Sequence, residues 1–190
     1  MARPGNRRPL IADHAIAVLA QGGARALTHQ AVDRSAGLSA GSTSYYFRTR
    51  EALVDAAIER IRHHSRAAFE AMPMPDSLTV KSASVFIAEQ LYQLLTVRRE
   101  QALAVVALLP EVADSPERQQ GLMGCLFSRA LATNLTGPLG SAHETHAADD
   151  LVDFLIGRLI TTLFKPNSDE QDWREAAQLP IERLLRSSIE

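Results

Sequence analysis

The residues most suited to binding a ligand lie close together in one short stretch, between Ser39 and Arg50. Its first part, SAGSTS, contains no large apolar side chain, so backbone amides and hydroxyl groups there could approach base edges and phosphate oxygens closely. The aromatic tripeptide YYF follows, and then Arg48 and Arg50. Small hydroxyl residues beside aromatic and basic ones suit contacts with a nucleic acid, and this stretch is the leading candidate site.

Other groupings of reactive side chains are weaker candidates. His143 and His146, with Asp149 and Asp150 nearby, have a spacing that metal ligands can adopt, but they lie beside a Gly/Pro loop at a helix start and no cysteine pair supports them. Cys125 stands among apolar residues, which favours a small buried side chain over a redox sensor. Phosphate-binding glycine loops and nucleophile motifs are absent from the sequence. We therefore expect no metal, no cofactor and no enzymatic activity.

The charge of the chain is distributed unevenly. The formal net charge is −2 over 190 residues, but residues 1–66 contain ten basic and five acidic side chains, a balance of +5, and the remainder carries −7. A basic N-terminal part followed by an acidic remainder favours a polyanion as the partner of the basic part. An uneven scatter of solvated charge is the alternative that composition alone leaves open.

The overall composition is that of a globular protein. Apolar residues make up 46% and charged residues 22%, and no apolar run reaches the ~18–20 residues that a membrane span requires. The first residues, MARPGNRR, lead into a segment with Asp13 and His14, which is unlike a secretion signal. A single cysteine cannot form an internal disulfide bond, so we expect a cytoplasmic protein without membrane contact.

Apolar residues recur with helical spacing along the whole sequence, and no run of strand alternation stands out, so we predict an all-α fold. A first helix should begin near Pro9 and stop at Gly22 and Gly23. Three further helices are predicted from their N-caps: His29–Ala36 after Thr28, Ala40–Phe47 after Ser39, and a long helix after Thr49 that ends at the sequence MPMP.

The remaining sequence predicts five more helices, at about 77–97, 99–109, 116–135, 146–164 and 169–187. The dipeptide Ser115-Pro116 and the capping-box sequence SDEQ at 168–171 mark two of the starts. Pro180 should kink or split the last helix, because it lacks an amide donor and crowds the preceding turn. Helix 146–164 is apolar on most of its sides, which suits a place in a core or between two subunits.

Two short capped helices joined by a Gly-Leu turn are typical of a helix-turn-helix, and the surrounding sequence resembles the TetR family of bacterial transcriptional regulators. The resemblance covers about residues 9–62. It rests on the apolar positions of the first helix, the segment from Gly22-Gly23 to Leu27-Thr28, the turn AGLS and the segment YYFRTREAL. It implies an N-terminal three-helix DNA-binding head and a C-terminal helical bundle for effector binding and dimerisation. The corresponding divisions are 1–48, a connecting helix at 49–75, and 76–190.

The resemblance also implies which residues meet DNA. The start of the second helix would contact the DNA backbone, and the third helix would read the major groove. The residues at the matching positions are Thr28, His29, Gln30, Ser39, Gly41, Ser42, Thr43, Ser44, Tyr46 and Arg50. Arg7 and Arg8 fit either an arm that enters the minor groove or a frayed, solubilising terminus.

Two positions depart from the family pattern. Many members carry an aromatic residue where this chain has Ser44, and a small alanine where it has Asp33. We expect Asp33, if buried, to accept hydrogen bonds from the next helix or from an arginine. Among the three aromatics, we assign Tyr45 and Phe47 to packing and Tyr46 to a phosphate contact.

The C-terminal part is expected to sense a small molecule and to dimerise. An apolar or weakly polar effector would lie among Phe86, Leu91, Tyr92, Leu95, Leu109, Met123 and Phe127. As in the proteins that this sequence resembles, the last two helices would pair across a two-fold axis, here through Leu151, Val152, Leu155, Ile156, Leu159, Ile160 and Trp173. Ordinary core packing is the alternative for each of these residues.

The function that the sequence predicts is a ligand-responsive repressor that binds a palindromic, double-stranded DNA operator as a homodimer. The resemblance implies that the effector moves the connecting helix and changes the separation of the two recognition helices. The alternatives are a helical ligand-binding or protein-interaction module without DNA binding, and a small helical enzyme.

Overall fold

The computed structural model describes residues 7–140, 144–165 and 173–188. Over these ranges the chain forms ten α-helices and no strand, so the predicted all-α class is confirmed. The helices are α1 (Arg7–Ala26), α2 (His29–Ser35), α3 (Ser42–Tyr46), α4 (Arg50–Glu70), α5 (Val80–Leu95), α6 (Arg99–Leu108), α7 (Pro116–Met123), α8 (Arg129–Thr136), α9 (Glu144–Leu163) and α10 (Trp173–Ser187). None of the described helices is both long and apolar enough to cross a membrane.

Threonine side chains cap the N-termini of α2 and α4, as the sequence predicts. Thr28 and Thr49 each accept a hydrogen bond, at 3.1 Å, from the amide three residues ahead. These bonds satisfy amides that have no partner inside the helix. α1 contains Pro9 in its first turn and its helical backbone is interrupted at Gly23, whose φ of 71° lies in the left-handed region. The predicted stop at the glycine pair is therefore a break inside α1.

One prediction for the C-terminal helices is wrong, and a second holds only in part of what it allowed. The helix predicted at 116–135 is two helices, because α7 ends beside Gly124 and the hydroxyl of Ser128 caps the start of α8. α10 runs through Pro180 without splitting. Proline has no amide N–H, so the carbonyl of Ala176, four residues earlier, lacks its usual helical donor. Ala176 is exposed, and water can donate to this carbonyl instead. The capping box predicted at 168–171 lies outside the described residues.

One compact unit comprises Met1–Ala71 with Glu100–Cys125. In it α1 packs against α2 and α4, and α2 packs against α3. The fully buried side chains include Ile11, Leu19, Leu53 and Ile61. The guanidinium of Arg60 donates two hydrogen bonds to Asp13, at 2.7 and 2.8 Å, and these raise the pKa of Arg60. This bidentate pair ties α4 to α1 beside the apolar contact.

The other compact unit comprises Met72–Arg99 with Leu126–Glu190. Its most extensive contact joins α5 and α10, and α9 packs against α5, α8 and α10. Fully buried side chains include Leu94, Leu151, Leu159 and Ile181. Arg174 of α10 lies 3.7 Å from the ring centroid of Tyr92 and forms an ion pair of 2.7 Å with Glu89. The functional divisions at 1–48, 49–75 and 76–190 stay a prediction.

Candidate nucleic-acid interface

The third helix is shorter than the sequence predicts. It contains five residues, Ser42–Tyr46, and its N-cap is Gly41, whose φ of 87° lies in the left-handed region. The prediction of a helix from Ala40 with Ser39 as its N-cap is wrong, because residues 39–42 form a turn in which the carbonyl of Ser39 accepts from the amide of Ser42 at 3.0 Å. A residue with a side chain would be strained at Gly41, so the glycine fixes where α3 can start.

A buried carboxylate from α2 caps α3 in place of a local serine. Asp33 accepts a hydrogen bond from the amide of Gly41 and one from the amide of Thr43, both at 2.8 Å, and a third from the Thr43 hydroxyl at 2.6 Å. The expectation that Asp33 bonds to the next helix is therefore confirmed. Burial opposes ionisation, but these three bonds and the nearby His29 outweigh it and lower the pKa of Asp33. The carboxylate is thus charged where α3 presents its free amides.

A second side chain of α2 reaches the other end of α3. Nε2 of His29 lies 2.7 Å from the carbonyl oxygen of Phe47, the residue that follows the helix. Because a carbonyl only accepts, Nε2 carries the proton of this bond. The ring that was predicted to contact DNA is therefore engaged by the protein. His29 and Asp33 are four residues apart on α2 and so share one face of it.

The structure corrects one predicted reader of base edges. Thr43 has 0% of its surface exposed and donates its hydroxyl to Asp33, so its side chain cannot contact the major groove. Ser42 is half-buried. The other predicted residues around it are exposed, namely Thr28, Gln30, Ser39, Gly41 and Ser44. The accessible face therefore consists of small polar groups on both sides of a buried threonine.

The role predicted for one of the three aromatics is wrong, and the phosphate contact predicted for Tyr46 stays a prediction. Tyr45, which was expected to pack, is 81% exposed, whereas Phe47 is buried as expected. Tyr46 is half-buried and meets Tyr45 edge to face, with the ring centroids 5.2 Å apart. Tyr45 is thus a large side chain on the candidate surface that sequence reasoning missed. The signal in the sequence was Ser44, which stands where many members of the family carry an aromatic residue. The exposed aromatic of this chain is the next residue, Tyr45.

The basic residues near the site have intramolecular partners. Arg8 lies in the first turn of α1, with its guanidinium 5.1 Å from the centroid of the Phe47 ring, so the alternatives of a flexible arm and a frayed end are both wrong for it. Arg50 forms an ion pair with Glu111 and donates to the carbonyl of Ala24 at 3.0 Å. The bond to Glu111 raises the pKa of Arg50 and lowers that of Glu111. Arg48 is exposed.

The predicted effector residues fall in both compact units. Phe86, Leu91, Leu95 and Phe127 are buried in the unit that contains α5, and Tyr92 there lies beneath Arg174. The half-buried Leu109 and Met123 belong to the unit that contains α1. A surface groove of about 850 Å³ opens at the start of α5, and its lining includes Met72, Met74, Asp76, Val85, Phe86 and Glu89. Phe86 is the predicted effector residue that this lining contains.

The predicted dimer residues are mostly buried inside their own unit. Leu151, Val152, Leu155 and Leu159 are buried in the single chain, which favours the alternative of core packing for these four; their place in a dimer interface stays a prediction. Ile156 and Ile160 are half-buried, and Trp173 begins α10. The exposed apolar side chains in this part include Phe164, which follows α9, and Leu179 of α10.

Comparisons with known proteins agree with this geometry. Residues 11–57 match the family model described as bacterial regulatory proteins, tetR family. The crystal structure of the multidrug binding protein EbrR complexed with ethidium is similar at 26% identity and a TM-score of 0.66, over 94% of this chain and 98% of that one.

Two further structures are similar over nearly their whole length. A TetR-family member from Streptomyces coelicolor A3 shares 25% identity at a TM-score of 0.68, over 94% of this chain and 97% of that one. A TetR-family transcriptional regulator from Rhodococcus sp. shares 21% identity at a TM-score of 0.65, over 97% and 100%. No protein with a curated description matches the chain.

Proposed function

We infer that this chain is a ligand-responsive, DNA-binding transcriptional regulator of the tetR family. The observation that carries the inference is the pair α2 and α3, which lies inside the matched segment 11–57 and leaves a row of small polar groups exposed. A helix with this surface can enter a major groove and bring its amides and hydroxyls to base edges and phosphates. The basic balance of the N-terminal residues supports the same partner.

We propose a DNA-contacting face that differs from the one predicted by position. Its members are exposed residues on both sides of the buried Thr43: Gln30, Ser39, Ser44, Tyr45 and Arg48. Ser39 and Ser44 are short enough to approach bases, whereas the Tyr45 ring and the Arg48 guanidinium extend toward the phosphate backbone. Arg50 can join this face only when its guanidinium leaves Glu111.

We propose that the protein binds DNA as a homodimer and acts as a repressor at a palindromic operator. A helix-turn-helix protein reads two half-sites about 34–36 Å apart through a two-fold symmetric pair of recognition helices. In α9 the residues Asp153, Gly157 and Thr161, with Phe164 directly after it, are exposed at helical spacing, and in α10 Ala176, Leu179 and Arg183 are. Gly157, Thr161 and Ala176 are small, and Leu179 and Phe164, the residue that follows α9, are apolar. With the half-buried Ile156 and Ile160 beside them, these residues could form the centre of a four-helix interface that has the charged Asp153 and Arg183 at its sides.

We propose the groove at the start of α5 as the place where an apolar or weakly polar effector binds. Two methionines and Phe86 supply apolar surface, and the carboxylates of Asp76 and Glu89 supply a few polar groups, which is the usual balance of a small-molecule site. The relative complexed with ethidium, a flat aromatic cation, supports a flat aromatic effector and extends the class to molecules that carry a positive charge.

The test is a selection of genomic DNA fragments by the purified protein, followed by affinity measurements with the selected duplex and a scrambled duplex of equal length. We expect preference for the selected duplex and a two-fold symmetric sequence within it. Equal affinities, or no binding, would leave the alternative of a helical ligand-binding or interaction module without DNA binding.

The responsive part of the proposal has its own test. Malachite green, the ligand of another EbrR structure, is titrated into the free protein, into the complex with selected DNA and, to measure binding to the duplex itself, into that DNA alone. Reciprocal coupling requires that the two affinities of the protein for the dye differ by the same factor as the DNA affinities with and without it, typically on the order of 5–150-fold. Equal affinities of the free and the DNA-bound protein for the dye, after subtraction of the duplex control, would remove any regulatory role for this compound.

A further inference from the structure

The recognition helix is too short and too polar to hold its own orientation. α3 has five residues, and isolated helices shorter than about 12 residues are marginal in water. Ser42, Thr43 and Ser44 provide no large apolar side chain to pack against α2. Apolar contact therefore cannot fix the start of α3, although Phe47, the residue after its end, is buried.

The start of α3 is fixed by Asp33. Its two carboxylate oxygens are hydrogen-bonded to the amides of Gly41 and Thr43 and to the Thr43 hydroxyl. Both amides lie at the helix start, where no intrahelical carbonyl is available to them. A carboxylate that accepts in two directions at once restrains the position and the rotation of the helix, and its charge complements the positive end of the helix dipole.

The end of α3 is fixed by His29. Its Nε2–H donates to the carbonyl of Phe47 at 2.7 Å, a group at the negative end of the helix dipole. His29 and Asp33 belong to the same short helix, α2. One face of α2 thus binds both ends of α3 by hydrogen bonds.

We propose that His29 and Asp33 are positioning residues for DNA recognition, which hold the recognition helix at both ends and do not contact DNA themselves. The proposal rests on the DNA-binding function inferred above. Phosphate contacts tolerate small rotations of α3, but contacts to base edges do not. Losing either bond should therefore reduce the preference for the correct sequence more than it reduces binding to any DNA.

The first experiment needs no DNA and measures, in the free protein, whether Asp33 holds the start of α3. The hydrogen bonds from Asp33 and His29 to the two ends of α3 are called the clamp below. Amide hydrogen exchange is compared between the wild type, Asp33→Ala and the control Arg34→Ala, whose side chain is exposed on α2. We expect the amides of Gly41 and Thr43 to exchange at least about tenfold faster in Asp33→Ala alone, since the bonds that they make to described residues are those to the carboxylate. Unchanged exchange of both amides, with α1 and α4 still protected, would overturn the clamp.

The second experiment measures the ratio of affinities for selected and scrambled DNA. We expect Asp33→Ala and His29→Leu to lower this ratio by about tenfold or more, equivalent to losing at least one base contact. His29→Gln should keep most of it, because its amide can still donate to Phe47. If the variants lose affinity for both duplexes equally, or if His29→Gln behaves like His29→Leu, the positioning role is wrong.

The two experiments separate this proposal from the function on which it rests. If the wild type selects no DNA, the regulatory function fails and the role in recognition fails with it, whatever the exchange data show. If the wild type selects DNA and Asp33→Ala keeps the full ratio, the function stands and the positioning role alone is refuted. Thermal unfolding of each variant shows that the compared proteins are folded.

Discussion

At the scale of single residues, the contact between α2 and α3 depends on a polar pair, Asp33 and Thr43, in a buried position. A buried carboxylate is costly unless its oxygens are satisfied, and here three donors satisfy them. Hydrogen bonds have narrower geometric limits than apolar contacts, so they define one orientation of the helix. The same arrangement makes the region sensitive to the ionisation of one group.

The first prediction concerns acid stability. The pKa of Asp33 is lower in the folded protein than in the unfolded chain, where it is about 3.9. The stability that the charged carboxylate contributes is present above that unfolded value and is lost as pH falls through the folded value. Urea unfolding at a series of pH values should therefore show a steeper acid loss for the wild type than for Asp33→Asn. Parallel pH dependences of the two free energies of unfolding would contradict this.

The second prediction concerns Tyr45, the exposed aromatic of α3. Tyr45→Ala should weaken binding to the selected DNA several-fold and leave the melting temperature nearly unchanged, because an 81% exposed side chain contributes little to packing. Fluorescence anisotropy with labelled duplex measures the affinity. Phe69→Ala, at another exposed aromatic outside α3, is the matched control and should bind like the wild type. Equal affinity of Tyr45→Ala and the wild type would remove Tyr45 from the face.

At the scale of elements, the helices with local caps were predictable and the surface of α3 was not. Thr28 and Thr49 accept from amides three residues ahead, and that spacing is visible in the sequence. The start of α3 depends instead on Asp33, eight and ten residues away from its partners. Sequence spacing alone therefore could not show that Thr43 faces Asp33 and is buried while Tyr45 is exposed.

The third prediction concerns the pair of Arg50 and Glu111, which lie 61 residues apart in the sequence. Glu111→Gln frees the guanidinium and removes a carboxylate, so it should strengthen binding to any duplex and increase the salt dependence by about one phosphate contact. The pair is partly exposed, and its loss should lower the free energy of unfolding by at most about 1 kcal/mol.

The control for this variant is Glu117→Gln, which removes the same charge at an exposed position of α7. Affinities of all three proteins are measured with both duplexes over a salt series. If Glu117→Gln strengthens binding as much as Glu111→Gln, the effect is one of net charge and Arg50 has no part in it.

The fourth prediction concerns the surface formed by α9 and α10. Leu179 is 53% exposed in the single chain, and Leu179→Glu should convert the dimer into a folded monomer because it would place an unpaired charge in the interface. Light scattering with size exclusion measures the mass, and circular dichroism checks the helix content. Val97→Glu, at a 76% exposed valine of the same unit, should stay dimeric. A dimeric Leu179→Glu, or a monomeric wild type, would refute the proposed interface.

In the whole molecule, affinity for DNA and preference among DNA sequences have different origins. Residues 1–66 carry +5 and the remainder −7, so attraction to DNA should come from the N-terminal part and depend on released counterions. Preference among sequences should come from α3 and its exposed small polar residues. Composition made the first property predictable, whereas the second depends on which side chains the fold leaves exposed.

The most direct test of the central claim is the affinity of the wild type for selected and scrambled duplexes of equal length, measured at about 50 mM and 200 mM salt. We expect the selected duplex to bind on the order of a thousandfold more tightly, and both affinities to fall steeply with salt. Equal affinities for the two duplexes, or affinities that do not change with salt, would contradict the account of this chain as a sequence-specific DNA-binding regulator.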